Sequence, residues 1–196
     1  MFKSILINLT VLAVTLTAFQ ATVISRPKGP GDKVDDFTMK NYDGTSYTLS
    51  SVKDSKAIVL MFWSTQCPWV KAYNQRVIDL ANEYSKQNVT FWSINANSTE
   101  NSDDIKSQAS EYNYPFPELK DVNNVLADEL GATRTPEIFV LDNNDIIVYH
   151  GRVDDNGDVS KVSTHDLKNA LDEILSGKDV TVKNTKSFGC SIKRAS

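Results

Sequence analysis

Hydrophobic and polar positions along the chain fall into blocks whose period changes several times. Residues 37–39 and 47–49, Phe-Thr-Met and Tyr-Thr-Leu, flank the turn pair Asp43-Gly44 and predict a hairpin. Residues 57–63 form an unbroken apolar run of strand length, the pattern of a central strand covered on both faces. A short polar segment, 64–67, follows. After it Trp69, Ala72, Tyr73, Arg76, Val77, Leu80, Ala81 and Tyr84 recur at three- and four-residue steps, the helical period. Pro68 suits the first turn of that helix, where its missing N–H is no loss.

The strand-rich stretch 89–94 and the polar stretch 95–102 come next, then a predicted helix at 105–112 and a short strand at 116–119. Asn123 or Asn124 is placed to cap a short helix ending at Leu130, with Gly131 as its stop. Residues 137–141 and 146–149 flank the turn at 142–145 and predict a second hairpin. Thr164 is the expected cap of a last helix whose apolar stripe is Leu167, Ala170, Leu171, Ile174 and Leu175, ended by Gly177. The early strand–helix–strand units require parallel pairing, whereas the late hairpin is antiparallel. A mixed sheet with helices on both faces satisfies both, so the predicted class is α/β.

Ahead of this pattern, Lys3 and the apolar stretch 5–18 read as a signal peptide spanning residues 1–21. The stretch is interrupted by Asn8, Thr10, Thr15 and Thr17 and is too short for a spanning helix, a retained anchor being the alternative. The expected organisation is therefore a signal at 1–21, a Pro/Gly-rich linker at 22–31, a folded domain at 32–183 and a tail at 184–196. Export to a periplasmic or secreted location is expected, with no membrane attachment after cleavage and conditions in which a disulfide persists.

Composition changes this picture little but closes some routes. The 196 residues carry 40% hydrophobic and 23% charged residues and a net charge of -4, ordinary globular values. A slightly acidic chain lacks the electrostatic footing for binding nucleic acid. Two cysteines, Cys67 and Cys190, and two histidines, His150 and His165, offer no Cys-x-x-Cys or His/Cys cluster for structural zinc.

The chemistry therefore centres on Cys67, where an apolar strand gives way to a helix N-terminus. Free N–H groups and the helix dipole favour an anion there, so the thiol pKa is expected to fall and the thiolate to be nucleophilic. The plainer reading is a buried core cysteine. Polar Ser64, Thr65 and Gln66 favour a loop that reaches the surface.

Three stretches carry a resemblance: 62–73 around Cys67-Pro68-Trp69-Val70, 133–137 around Thr135-Pro136, and 149–155. With 189–193 around Cys190, they make the chain resemble secreted peroxiredoxin-like proteins of the redoxin group, related to alkyl hydroperoxide reductase C and thiol-specific antioxidant. The resemblance implies a thioredoxin-like fold and a cis-proline loop at Thr135-Pro136 beside the reactive sulfur. It also implies a substrate that is a peroxide or a protein disulfide, an external thioredoxin-like thiol reductant, and no organic cofactor.

Two positions depart from the pattern. Val70 stands where thioredoxins carry a second cysteine, and Leu60 where peroxiredoxins carry a proline, although Ser64 matches their hydroxyl position. The peroxide-polarising arginine of the family aligns with Pro136, leaving Arg134 nearby as its substitute. On this resemblance Cys67 is the nucleophile, Ser64 helps stabilise its thiolate, and Arg134, Thr135, Pro136 and Trp69 shape the substrate groove.

Cys190 is then a resolving cysteine that condenses with the sulfenic acid of Cys67, with Gly189 easing its approach. A stable structural bridge and an unpaired thiol are the alternatives. A bridge would close a long loop and stabilise the fold by about 4 to 5 kcal/mol. By spacing alone Trp63, Trp69 and Trp92 are expected in the core more than in a groove. Arg76 is expected to anchor packing or pair with an acid more than to lower the Cys67 pKa, and Glu137 to be a solvated strand-end carboxylate more than a proton relay. The rival to an enzyme is a non-catalytic redox-sensing or binding module on the same fold.

Overall fold

The computed structural model describes residues 26–195; the expected signal peptide lies outside them. Seven strands form one mixed sheet. In chain order they are β1 (Thr38–Asn41), β2 (Ser46–Thr48), β3 (Ala57–Trp63), β4 (Val89–Asn95), β5 (Glu118–Lys120), β7 (Glu137–Asp142) and β8 (Ile147–Gly151). Across the sheet the order is β2-β1-β5-β4-β3-β7-β8. β3 runs parallel to β4, and β4 to β5, while β7 is antiparallel to both β3 and β8. The intervening β6 (Arg134–Thr135) pairs instead with β9 (Cys190–Ser191) in a separate two-stranded ladder.

Strand alternation divides β3 between two cores. Ala57, Val59, Met61 and Trp63 face α1 (Pro68–Tyr84) and α4 (Asp166–Leu175), meeting Val70, Tyr73, Val77, Leu167 and Leu171. Ile58, Leu60 and Phe62 face the other way, towards Trp92, Leu119 and the Leu126, Ala127 and Leu130 stripe of α3 (Val125–Leu130). Each buried aliphatic side chain contributes roughly 1.5–3 kcal/mol. Trp63 and Trp92 are both buried, as the spacing predicts, whereas Trp69 is exposed. The α/β expectation and the placement of the central strand and first helix agree with this architecture.

The helix ends differ from expectation in instructive ways. Asn123 and Asn124 adopt left-handed backbone, φ 61° and 60°, and neither side chain caps α3. The Asp121 carboxylate does so, accepting the Leu126 and Ala127 N–H groups at 3.2 and 2.9 Å. His165, not Thr164, occupies the cap position of α4, and neither it nor any other side chain makes the capping bond there. Asp166 in the first turn supplies the negative charge and is in turn held by Arg152 at 2.6 Å. The helix predicted at 105–112 starts earlier, as α2 (Ser102–Tyr112), because Asn101 and Asp104 form a reciprocal capping box. Among the described residues no helix is long and apolar enough to cross a membrane.

Candidate functional site

Cys67 is the N-cap residue of α1, with extended backbone (φ -82°, ψ 119°), directly after the loop that leaves β3. Pro68 occupies the first helical turn, as its fixed φ favours. The sulfur is directed across the sheet end to β6, where the Cys67 thiol donates to the Thr135 carbonyl at 3.1 Å. The Thr135-Pro136 peptide bond is cis, as the resemblance implies. Cys67 itself is only 1% exposed. It is thus neither a surface thiol nor a cysteine sealed among hydrocarbons alone, because polar backbone and a second thiol meet it.

That second thiol is Cys190. Antiparallel pairing of β6 with β9 sets Cys190 opposite Thr135 and Ser191 opposite Arg134, and the Ile192 N–H extends the ladder to the Thr133 carbonyl at 3.0 Å. Cys190 packs against the core that contains Cys67, and each thiol bears on the ionisation of the other. Burial pushes the Cys67 thiol up, but the Cys190 thiol, the Val70 amide in the first turn of α1 and the Thr135 hydroxyl favour the thiolate. The net is a pKa below the ordinary thiol value. The Thr135 hydroxyl is buried and makes no hydrogen bond in the reduced protein, so its donor is free for the thiolate. Burial, and then the contact with Cys67, push Cys190 up to about 11. The first proton therefore leaves Cys67.

The approach of the tail is possible because residue 189 is glycine. Its φ is +150°, and a Cβ there would lie 2.0 Å from the Thr135 carbonyl oxygen. Arg134 donates to the Gly189 carbonyl at 3.1 Å, so its guanidinium clamps the tail and is not turned to the sulfur. Trp69 is 42% exposed and packs against the ring of Phe188, with centroids 6.4 Å apart. Thr135, Pro136, Trp69 and Cys190 are thus gathered round Cys67.

Ser64 is placed differently. Its hydroxyl donates to Glu100 Oε1 at 2.6 Å and accepts the Gln66 N–H, which commits it to a buried carboxylate instead of to the thiolate. Glu100 needs these donors because it is only 3% exposed. The Thr65 amide and the Asn95 side chain complete its shell, each at 2.7 Å.

Two further residues escaped the sequence reading. Glu137 is buried, not solvated. One of its oxygens accepts the Thr133 and Arg134 N–H groups, both at 2.8 Å, while the other meets His150 Nε2 at 2.7 Å. His150 stacks on Phe139 and binds the tail through its backbone, donating to the Lys183 carbonyl and accepting from the Thr185 N–H. Only the position of Glu137, directly after the proline, hinted at this clamp. Arg76 pairs with Asp154, as expected of it.

The AhpC/TSA family matches the chain over residues 30–150. Among solved structures, a hypothetical protein of Sinorhizobium meliloti 1021 is similar at 32% identity and a TM-score of 0.81, over 87% of this chain and 97% of its own. An uncharacterized conserved protein from Geobacillus kaustophilus is similar at 33% identity and a TM-score of 0.80, over 85% of this chain and 92% of its own. Peroxidoxin BcpB from Mycobacterium tuberculosis shares the fold at 21% identity and a TM-score of 0.56, over 76% of this chain and 94% of its own. With its mixed sheet, its cysteine at the strand-to-helix junction and its cis-proline opposite, the chain belongs to the AhpC/TSA family as a peroxiredoxin-like redoxin on a thioredoxin-like fold.

Proposed function

We propose that the protein is an exported thiol-dependent oxidoreductase working through the Cys67/Cys190 pair. The observation that carries this reading is the β6–β9 register, which sets Cys190 against the Thr135 backbone to which the Cys67 thiol is bonded. Cys67 is the nucleophile. Its thiolate attacks the outer oxygen of a peroxide, the O–O bond breaks, and the alcohol or water leaves with a proton, giving a sulfenic acid. Cys190 then attacks that sulfur and water departs, leaving a disulfide. An external dithiol returns the pair to its reduced form. With a disulfide as the oxidant, Cys67 attacks one sulfur and Cys190 resolves the mixed disulfide in the same way.

The geometry supports these roles in three respects. The α1 N-terminus and the Thr135 hydroxyl favour the thiolate. Gly189 lets the tail lie against Thr135, on the side of β6 where the Cys67 thiol is bonded. Thr135, Pro136 and Trp69 form the walls of the site.

Stopped-flow oxidation of the reduced protein by hydrogen peroxide tests the scheme. Fast oxidation is expected in the wild type and in Cys190→Ser, where the sulfenic acid persists and is trapped by a dimedone-type reagent. It is expected to vanish in Cys67→Ser. A Cys67 that reacts no faster than free cysteine with either peroxide or a small disulfide would leave only the non-catalytic module.

A further inference from the structure

The tail runs along the edge of β6, paired with it through β9, and its alternation is informative. Phe188, Cys190 and Ile192, every second residue, turn to the body of the protein, while Ser191 and Lys193 face solvent. Phe188 rests on Trp69, with the Arg152 guanidinium 5.4 Å from its ring centre. Cys190 packs against the core that contains Cys67, and Ile192 is buried in the core that contains Leu126 and Leu130. The backbone bonds to Thr133 and runs along Arg134 and Thr135, with the Arg134 side chain holding the Gly189 carbonyl. Further on, Asn97 accepts the Lys193 N–H at 2.8 Å and Arg194 pairs with Asp128 at 2.6 Å.

This is how a foreign polypeptide adds to an open strand edge: main-chain bonds give the hold, and recesses for alternate side chains give the selection. Here the occupant is the chain's own C-terminal segment.

We infer that residues 187–193 are a built-in strand filling a polypeptide-binding edge, which confines the intact protein to small oxidants. The bare edge would take extended segments carrying an aromatic residue two before a cysteine and a branched aliphatic residue two after it. The inference rests on the proposed role of Cys67 as nucleophile and adds to it the class of substrate. A covalently tethered strand competes at millimolar or higher effective concentration, so a free polypeptide at micromolar concentration is excluded. A small oxidant needs no strand edge. On a bare edge, the Cys67 thiolate attacks one sulfur of a peptide disulfide R–S–S–R′. The Cys67–S–S–R bond forms, the original S–S bond breaks, and R′–S⁻ leaves.

The test uses two mixed disulfides of thionitrobenzoate, one with cysteamine and one with the heptapeptide of residues 187–193, following release of the coloured thiol and the mass of the adduct on Cys67. In Cys190→Ser, which keeps the strand but not its sulfur, the cysteamine disulfide is expected to react at least about tenfold faster than the peptide. In a chain ending at Lys186, the peptide is expected to gain at least about tenfold, and to lose that gain when its Phe or Ile becomes Ala. The same peptide with Ser in place of Cys should slow the reaction again.

Ile192 belongs to the core, so the shortened chain is paired with Cys190→Ser/Gly189→Ala, in which the clash at Thr135 displaces the strand within the full chain. Equal rates for the two disulfides on the Cys190→Ser chain would overturn the inference, and that comparison needs no variant of doubtful folding. A folded shortened chain with no gain for the peptide would overturn it as well. Either result alongside intact peroxide reactivity removes the role of the tail alone. Inertness of Cys67 to peroxide and to both disulfides removes the redox reading too.

Discussion

Gly189 is the residue on which the close approach of the tail to Thr135 turns. Substitution to alanine puts a methyl group 2.0 Å from the Thr135 carbonyl oxygen, and the φ of +150° is one that L side chains rarely adopt. The strand must shift, so Gly189→Ala is expected to destabilise the fold by about 1–3 kcal/mol. It should also slow closure of the Cys67–Cys190 disulfide after peroxide treatment while leaving sulfenic acid formation near the wild-type rate. Urea titration and dimedone trapping read the two effects separately. A second residue acts through charge. Glu118 on β5 is fully buried, neither carboxyl oxygen has a hydrogen-bond partner, and burial followed by repulsion from Glu100 pushes its pKa up to about 8. A raised carboxyl pKa contributes stability that is fully present below the unfolded value and is lost as pH rises towards 8. Glu118→Gln, which cannot ionise, should flatten that decline and be more stable than wild type at pH 8.5 by on the order of 2 kcal/mol. Urea midpoints at pH 5 and pH 8.5 measure the difference.

Among the elements, the long regular ones were legible and the shortest was not. The run at 57–63 announces β3 because a strand covered on both faces has to be apolar at every position, and the helical period from Trp69 to Tyr84 announces α1 just as directly. The Cys67 junction followed from those two. β9 is only two residues long and gains its order from an equally short partner more than fifty positions away, which no local pattern reveals. The alternation of Phe188, Cys190 and Ile192 was the one available sign of it. Ser64 was misplaced for a similar reason: the carboxylate that claims its hydroxyl belongs to Glu100, on the far side of β4 in sequence. The clamp made by Glu137 was equally hidden. Its carboxylate holds the two N–H groups that position β6, and His150 behind it holds the start of the tail, so one side chain orders both partners of the ladder. Glu137→Ala leaves those amides without their shared acceptor and is expected to cost about 1–3 kcal/mol. Amide hydrogen exchange should show the protection lost first at Thr133 and Arg134, with disulfide closure slowed in parallel.

At the scale of the whole molecule, the reduced fold already sets Cys190 opposite Thr135, whose carbonyl accepts from the Cys67 thiol. Thermodynamic linkage follows: whatever stability the Cys67–Cys190 bridge adds to the fold, the fold adds equally to the bridge. Closing so long a loop in the unfolded chain is worth about 4 to 5 kcal/mol on the chain-entropy model. With a denaturant slope of about 1–3 kcal/mol per molar urea, the oxidised protein is expected to unfold at a midpoint roughly 2 M above that of the reduced protein. The same free energy makes the disulfide of the folded protein about 100 mV more reducing in potential than that of the unfolded chain. Glutathione should then reduce the folded, oxidised protein poorly, while dithiothreitol, a small low-potential dithiol, should reduce it fully. Adding urea past the midpoint should bring the glutathione reaction back. A redox titration beside the two unfolding curves checks both sides of this cycle. Coincident curves for the two redox forms would mean that the bridge strains the fold by as much as it restrains the unfolded chain. The ladder of β6 and β9 would then need to open for the disulfide to close.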